Sequence, residues 1–206
     1  RRPRARALMP ARPRRGWTRR LVRDTLLWLL PSAFLWLLLT PLYNRLLLRS
    51  AEAVLHLTEY PTVTDLLPRT DSDHDADIAR RDFPPARSRV HAFRVSDLHF
   101  HFVLLGALFL GVPGIPWQVR LGNLAAAALL SVAFDVVLLF FYVKSIYATQ
   151  LGAWSLANYG PFSRNFYGLA KHLLDLPFKL ALPLVLWAAF YLRLMREEIA
   201  RDQADV

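Results

Sequence analysis

The chain has 206 residues, of which 54% are hydrophobic, and it carries a formal net charge of +10 at pH 7. It contains no cysteine, which excludes disulfides, a thiolate nucleophile and cysteine-ligated metals. Apolar residues gather in long blocks, and basic residues lie before or between these blocks instead of alternating with them. This segregation is typical of a membrane protein with several spans.

The first segment, residues 1–24, is a basic arm. Ten arginines fall within the first 23 residues, directly before an apolar block. An arginine cluster in that place is a topology signal that faces anionic lipid, and we prefer this interpretation to nucleic-acid binding. Residues 25–43 form the first predicted span, because they carry no charge and are long enough to cross a bilayer core. The positive-inside rule then places the N-terminus in the cytoplasm.

Residues 44–97 are predicted to lie outside the cytoplasm. Polar residues recur at helical spacing over residues 45–60, which predicts an amphipathic helix that either continues the first span or lies flat on the membrane. His56 stands on this face beside Glu52 and Glu59. A catalytic pair is one interpretation of this group, but a solvated helix face with ordinary ion pairs is the commoner one.

The remainder of this segment, residues 62–97, has too few residues to bury a substantial core, so it must rest on the membrane helices or on a partner. A short strand is expected over residues 90–95. Five aspartates occupy positions 1, 3, 5, 7 and 12 of a loop like that of an EF-hand: Asp71, Asp73, Asp75, Asp77 and Asp82. Position 6 is Ala76, where a calcium loop needs glycine, so we favour a solvated acidic loop over a calcium site.

Two histidines open the second apolar run, residues 98–116. His99 and His101 alternate as metal ligands on an extended chain would, but no third ligand stands at a fixed spacing. An interfacial pair is therefore expected instead of a metal site. The run is marginal in length, and it either crosses the bilayer with little tilt or dips in and returns.

Residues 117–143 form the longest predicted span. Asp135 lies within its apolar part, and Ser131 shares its face four residues earlier. A carboxyl at membrane depth faces a protein interior, pairs with a partner or marks an ion path. The sequence predicts an intramembrane polar contact of Asp135 and Ser131, with a structural and a functional role equally open.

An aromatic-rich segment, residues 144–176, is expected outside at the membrane interface. A last span over residues 177–192 and a short cytoplasmic tail, residues 193–206, follow it. The predicted fold class is all-α, a polytopic membrane helix bundle of about four spans with a small extracytoplasmic polar segment. Both termini are then cytoplasmic, unless the short second run is re-entrant and the C-terminus lies outside.

Three stretches belong together by their order and apolar pattern: LLWLLPSAFLWLLLTPLYNRLLLRSAEAVL, FHFVLLGALFLGVPG and LDLPFKLALPLVLW. With the polar segment between them, they resemble the exosortase H-associated membrane protein family over most of residues 21–192. Such proteins accompany bacterial exosortases, which are membrane cysteine transpeptidases. Because this chain has no cysteine, the resemblance implies a non-catalytic accessory protein of the inner membrane beside an exosortase, with no cofactor and no catalytic residue carried over.

Two other functional classes stay open. A membrane enzyme would use His56, His99 or His101 together with a carboxylate. A transporter or channel subunit would be built around Asp135, although the other spans supply few polar groups.

Overall fold

The computed structural model describes residues 16–69, 74–83 and 88–204. It confirms a mostly α-helical bundle. Three helical segments are long and apolar enough to cross a membrane: Trp17–Thr58, Trp117–Thr149 and Pro161–Leu192. A shorter apolar helix, His101–Leu110, lies between the first two.

Helix α1, Trp17–Thr58, joins two predicted elements into one. Its 42 residues include the first predicted span and the amphipathic helix after it, so the helix continues the span and does not turn onto the membrane surface. Pro31 and Pro41 lie inside it without ending it, and Pro61 follows its last turn. At about 1.5 Å per residue the helix is roughly 60 Å long, about twice a bilayer core. Its C-terminal part therefore stands clear of the apolar span.

Helix α2, His101–Leu110, runs back along α1 in close contact. A Cβ added to Gly106 would lie 2.8 Å from the Ser32 Oγ, and one added to Gly111 would lie 2.7 Å from the Thr25 amide nitrogen. The two glycines thus let the backbones approach, as small residues do in membrane helix pairs. The contacts extend to Thr25, where the first predicted span begins, but the ten residues of α2 form a helix of only about 15 Å, half the thickness of a bilayer core.

The other two long segments run in opposite directions: the segment Trp117–Thr149 runs in the direction of α1, and the segment Pro161–Leu192 runs in the direction of α2. Helix α3, Trp117–Thr149, runs parallel to α1, with the ring of Trp117 5.6 Å from that of Trp28 near one end and tilted by 31° to it. Helix α4, Ala153–Asn158, turns the chain into α5, Pro161–Leu173. A π-helical turn, Leu174–Phe178, joins α5 to α6, Lys179–Ala204. Helix α6 runs beside α2 and in the same direction. The ring of its Tyr191 lies 5.4 Å from that of Phe109.

A three-stranded antiparallel sheet lies between α1 and α2 in the chain, in place of the predicted polar loop. Its strands are β1, Thr64–Pro68, β2, Ala76–Arg80, and β3, Ser88–Phe93, in that order. A short 3₁₀ turn, Ser96–Leu98, leads from β3 towards α2. The strand expected over residues 90–95 corresponds to β3, whereas β1 and β2 were not predicted.

The C-terminal end of α1 binds the sheet through the backbone of β1. Glu52 accepts a hydrogen bond from the Leu66 amide (2.9 Å), and Glu59 accepts one from the Thr64 amide (3.3 Å). The His56 Nε2 donates to the Thr64 carbonyl oxygen at 2.6 Å, because a carbonyl oxygen can only accept. The interpretation of this helix face as solvated was wrong, because Glu52, His56 and Glu59 form hydrogen bonds with the backbone at the outer edge of β1.

The sheet and the helices share one apolar core, as expected of a segment too small to fold alone. Buried side chains from α1, β2 and α3 meet there, including Leu47, Leu55, Ile78, Leu139 and Tyr147. Burying a side chain of this size stabilises a fold by about 1.5–3 kcal/mol. A second cluster joins α2 to α6 around Phe109 and Trp187.

The glycine at the end of α2 provides a test of the α1–α2 packing. We expect Gly111→Ala to lower the stability by about 1–3 kcal/mol, because the new methyl group collides with the Thr25 backbone. Thermal unfolding in detergent measures the effect. The matched control is Gly122→Ala in α3, where nothing lies within 4 Å and a small gain is expected. Equal stability of the two variants would contradict the packing.

Candidate functional site

A layer of buried and half-buried polar side chains lies where α1, α2 and α3 meet the sheet. Each element supplies part of it: Trp36, Tyr43 and Asn44 come from α1, His99 and His101 from the start of α2, Ser131 and Asp135 from α3, and Asp75 from the residue before β2. Polar groups this deep must find partners within the protein. Their pairing therefore defines what the layer can do.

The first half of the layer is a chain of hydrogen bonds through His99. The Trp36 indole Nε1–H donates to the His99 Nδ1 at 3.0 Å. An indole nitrogen can only donate, so the Nδ1 carries a lone pair and the proton resides on Nε2. That Nε2–H donates to the Asn44 Oδ1 at 2.6 Å. The imidazole is thereby held neutral and in one tautomer.

The chain continues from the bundle to the sheet. The Asn44 Nδ2 donates to the Asp75 Oδ2 at 2.9 Å. The same carboxylate accepts hydrogen bonds from the backbone amides of Val95 and Ser96, which follow β3. Asp75 thus ties the start of β2 and the residues after β3 to α1, and its oxygens are occupied by the protein itself.

The second half of the layer surrounds Asp135. The Tyr43 hydroxyl donates to its Oδ2 at 2.7 Å, while the His101 Nε2 stands 3.8 Å from its Oδ1. Within the residues that the structure describes, the His101 Nε2, the Asp135 Oδ1 and the Ser131 Oγ have no hydrogen-bond partner, and all three side chains are buried. Asp135 and His101 are therefore a buried carboxyl and a buried imidazole that face each other without a hydrogen bond, an arrangement that can share a proton.

Several predictions about this layer need correction. His99 and His101 are both buried within the protein and have different partners, so they do not act as one pair, and their depth relative to the membrane stays a prediction. Asp135 does contact a neighbouring helix, as one interpretation held, but through Tyr43; Ser131, four residues away, makes no hydrogen bond to it. The signal that could have identified Tyr43 is its place as the polar end of an apolar span.

The aspartate run does not form a solvated acidic loop in the part that is described. Asp77 lies in strand β2, buried, with Arg69 at 3.1 Å and Arg89 at 3.2 Å. Asp82 pairs with Arg80 at 2.7 Å. A strand through this region is incompatible with the turn of an EF-hand loop. Asp71 and Asp73 lie outside the described residues.

A group of one histidine and two carboxylates occurs where α1 meets β1. Ligand atoms of Glu52, His56 and Asp65 lie within 4.8 Å of one another, a spacing that a divalent cation could bridge. However, Arg81 already binds the Asp65 carboxylate through two nitrogens, with a shortest distance of 2.5 Å. The group is neutralised by that guanidinium and by the contacts to β1, so we assign it a structural role.

An open cleft of about 500 Å³ lies on the same side of the molecule as the sheet. One wall holds Arg80, whose guanidinium carbon stacks 4.4 Å above the Trp154 ring and 4.7 Å above Tyr147. At the other side the Lys144 Nζ binds the Glu59 carboxylate at 3.0 Å. Its cations are therefore paired, and its surface is aromatic and close to neutral. No sequence signal pointed to this cleft, because its residues are distant along the chain.

The pairing with Arg80 changes the pKa of the Asp82 carboxyl. The two hydrogen bonds from the guanidinium stabilise the ionised carboxylate, and they lower the pKa of Asp82 below its ordinary value of 3.8. This part of the sheet segment is thus stabilised by a charge pair at neutral pH.

No family model, curated protein or solved structure matches the chain. The family resemblance noted in the sequence stays a prediction, and the functional assignment depends on the geometry of the chain itself.

The hydrogen-bond chain through Asn44 can be tested by an isosteric change. We expect Asn44→Leu to lower stability by about 1–3 kcal/mol, because it leaves the His99 Nε2–H without an acceptor and removes one of the two donors to the Asp75 Oδ2. Thermal unfolding in detergent would report the loss. Asn158→Leu is the control, since Asn158 is exposed and binds only a nearby carbonyl oxygen. A wild-type unfolding temperature for Asn44→Leu would contradict the chain.

The Arg80–Asp82 pair predicts a pH dependence. A carboxyl with a lowered folded pKa adds stability that is present above its unfolded pKa and is lost as the pH falls through the folded one. We therefore expect Asp82→Asn to be less stable than the wild type at pH 7 and equal to it near pH 2. Thermal unfolding of both proteins across this range is the measurement, and a stability gap that does not change with pH would refute the pairing.

Proposed function

We propose that this chain is a non-catalytic accessory protein of the bacterial inner membrane, with its N-terminus in the cytoplasm and its sheet outside. Three apolar helical segments support a membrane location, and the arginine-rich arm before α1 supports this orientation. The alternating course of α1, α2, α3 and α6 then returns the chain to the cytoplasmic side.

The observation that carries this proposal is the hydrogen-bond chain from Trp36 through His99 and Asn44 to Asp75. A catalytic histidine needs a ring nitrogen that is free to meet a substrate. Both nitrogens of His99 are instead occupied by side chains of α1. This half of the polar layer therefore fastens the sheet to the bundle and gives the outer face a fixed shape, which suits a protein that positions another one.

The cleft beside the sheet is where we place the contact with a partner. Tyr60, which is fully exposed, stands at its rim with Trp154 and Tyr159 in its lining. Aromatic side chains dominate the binding energy of many protein interfaces. We infer that the partner is an exosortase-type membrane protein, which follows the family resemblance. Such an enzyme would provide the cysteine nucleophile that this chain lacks.

One observation favours a second candidate, a transporter subunit built around Asp135. The Asp135 and His101 side chains are buried inside the bundle with facing atoms 3.8 Å apart and no hydrogen bond between them, and buried ionisable groups of this kind occur in proton pathways. This candidate requires proton flux into liposomes that Asp135→Asn abolishes. The accessory role requires no flux at all, so the two functions are distinguished by one assay.

The accessory role is tested by co-expression with an exosortase of the same genome and purification in mild detergent. We expect the two proteins to purify together and Tyr60→Ala to weaken the complex about tenfold, because it removes an exposed aromatic anchor without touching the core. The control is Leu156→Ala, an exposed residue outside the cleft lining, which should bind like the wild type.

Two outcomes would contradict the proposal. A chain that purifies without the exosortase under all mild conditions has no stable partner of this type. Equal weakening by Tyr60→Ala and Leu156→Ala would be compatible with a complex, but it would show that the cleft is not the contact surface.

A further inference from the structure

A groove with a single charged residue lies between the end of α3, helix α4 and the start of α5. Its volume is about 680 Å³, and it shares no lining residue with the cleft beside the sheet. The charged residue is Arg164, and no carboxylate contributes to the lining. The wall around it is built from all three helices, with Ala148 and Thr149 from α3, Leu156 from α4, and Pro161 and Asn165 from α5.

The Arg164 guanidinium has no counter-charge. The side chain is half-buried, and its Nε is shielded from solvent without a hydrogen-bond acceptor. Among the residues that the structure describes, no group pairs with this guanidinium. An arginine that is partly removed from water normally has a counter-ion, because burying an unpaired charge is unfavourable. The surroundings of Arg164 therefore favour an anion that the described part of the chain does not supply.

The sequence near the groove explains this lack of a counter-charge. Residues 136–174 contain three basic residues and no aspartate or glutamate. The other two basic residues have partners in the fold, since the Lys144 Nζ binds Glu59 at 3.0 Å and the Lys171 Nζ lies 5.0 Å above an aromatic ring of α3. Arg164 has neither kind of partner within the described residues, and it alone of the three lines this groove.

The start of α5 adds positive potential to the same wall. The helix begins at Pro161, no side chain caps it, and its first turn contains no acidic residue. The positive end of its dipole is therefore uncompensated, and Arg164 adds a positive charge where a negative one would be stabilising. Because Pro161 and Arg164 both line the groove, an anion bound there would compensate both charges.

We propose that this groove binds a phosphate group, which the Arg164 guanidinium holds at the positive end of α5. A guanidinium can form two parallel hydrogen bonds to phosphate oxygens, and the first turn of a helix favours the same anion. Since the Arg164 Nε is shielded, its two terminal nitrogens form these bonds. The Asn165 amide in the same wall supplies a further donor.

A membrane lipid and a soluble molecule present the same phosphate chemistry to this site. The groove lies at the ends of two candidate membrane segments, because Thr149 is the last residue of one and Pro161 is the first of the next. Leu156 in its lining is 65% exposed and could contact an acyl chain. A volume of this size holds a lipid headgroup or a small organic phosphate. The experiment therefore has one arm for each source.

The first arm measures thermal unfolding of the full chain in mild detergent, with inorganic phosphate added at constant ionic strength. A ligand that binds the folded state raises the unfolding temperature. We expect phosphate to raise it for the wild type and for the control Lys171→Gln, but not for Arg164→Gln. Without phosphate, Arg164→Gln should be at least as stable as the wild type, because it removes an unpaired charge. A lost response is then not a folding defect.

The second arm measures lipid binding by native mass spectrometry. The probes are phosphatidylglycerol and diacylglycerol, which has the same acyl chains and no phosphate. If the phosphate belongs to a lipid, phosphatidylglycerol should bind in preference to diacylglycerol, and Arg164→Gln should weaken it about tenfold while Lys171→Gln leaves it unchanged. Equal binding of the two lipids, together with a response to inorganic phosphate, assigns the site to a soluble phosphate.

Arg164→Lys provides a second variant, because it keeps the charge and loses the planar fork. It should fold like the wild type and bind phosphate more weakly. The proposal is overturned if the wild type responds to neither phosphate nor phosphatidylglycerol, if the Arg164 variants respond as the wild type does, or if succinate stabilises the wild type as much as phosphate. The expression host contains no exosortase, so each of these outcomes is independent of the proposed accessory role.

Discussion

The structure depends on the need to pair polar groups where the sheet meets the bundle. Between Asn44 of α1 and the backbone after β3, the half-buried Asp75 carboxylate accepts three hydrogen bonds. Leaving any one of them unmade would expose a buried donor to an apolar surround, and this cost holds the segment in one position. The apolar contacts beneath the sheet form once Asp75 is in this position, and they do not determine the position by themselves.

Much of the helical architecture could be predicted, because composition and spacing are local properties. An uncharged block of bilayer length and a polar stripe at helical spacing predicted the two parts of α1, and Pro61 marked its end. The strands β1 and β2 escaped prediction because they break the usual rule for buried strands. Strand β2 buries Asp77 and Arg80, whose charges made the segment look like a solvated loop. Their arginine, aspartate and aromatic partners are brought near only by the fold.

The candidate site shows the same limit. Asp135 could be singled out because a carboxyl within an apolar span is rare. Its partner could not be named, since Tyr43 is 92 residues away and its place at the polar end of an apolar span does not by itself link it to Asp135. His99 and His101 looked like a pair because they are close in sequence. They diverge because His99 precedes the first residue of α2, where the backbone turns, and His101 opens the helix.

The neutral tautomer of His99 has an electrical consequence. Every donor in the chain Trp36–His99–Asn44–Asp75 points the same way, towards the sheet, and the link at Asn44 is an amide that neither gains nor loses a proton near neutral pH. A row of hydrogen bonds that contains such a link insulates instead of conducting. Protons that reach Asp75 from the side of the sheet are not passed on through Asn44. Along this route the interior of the bundle is therefore closed to proton transfer.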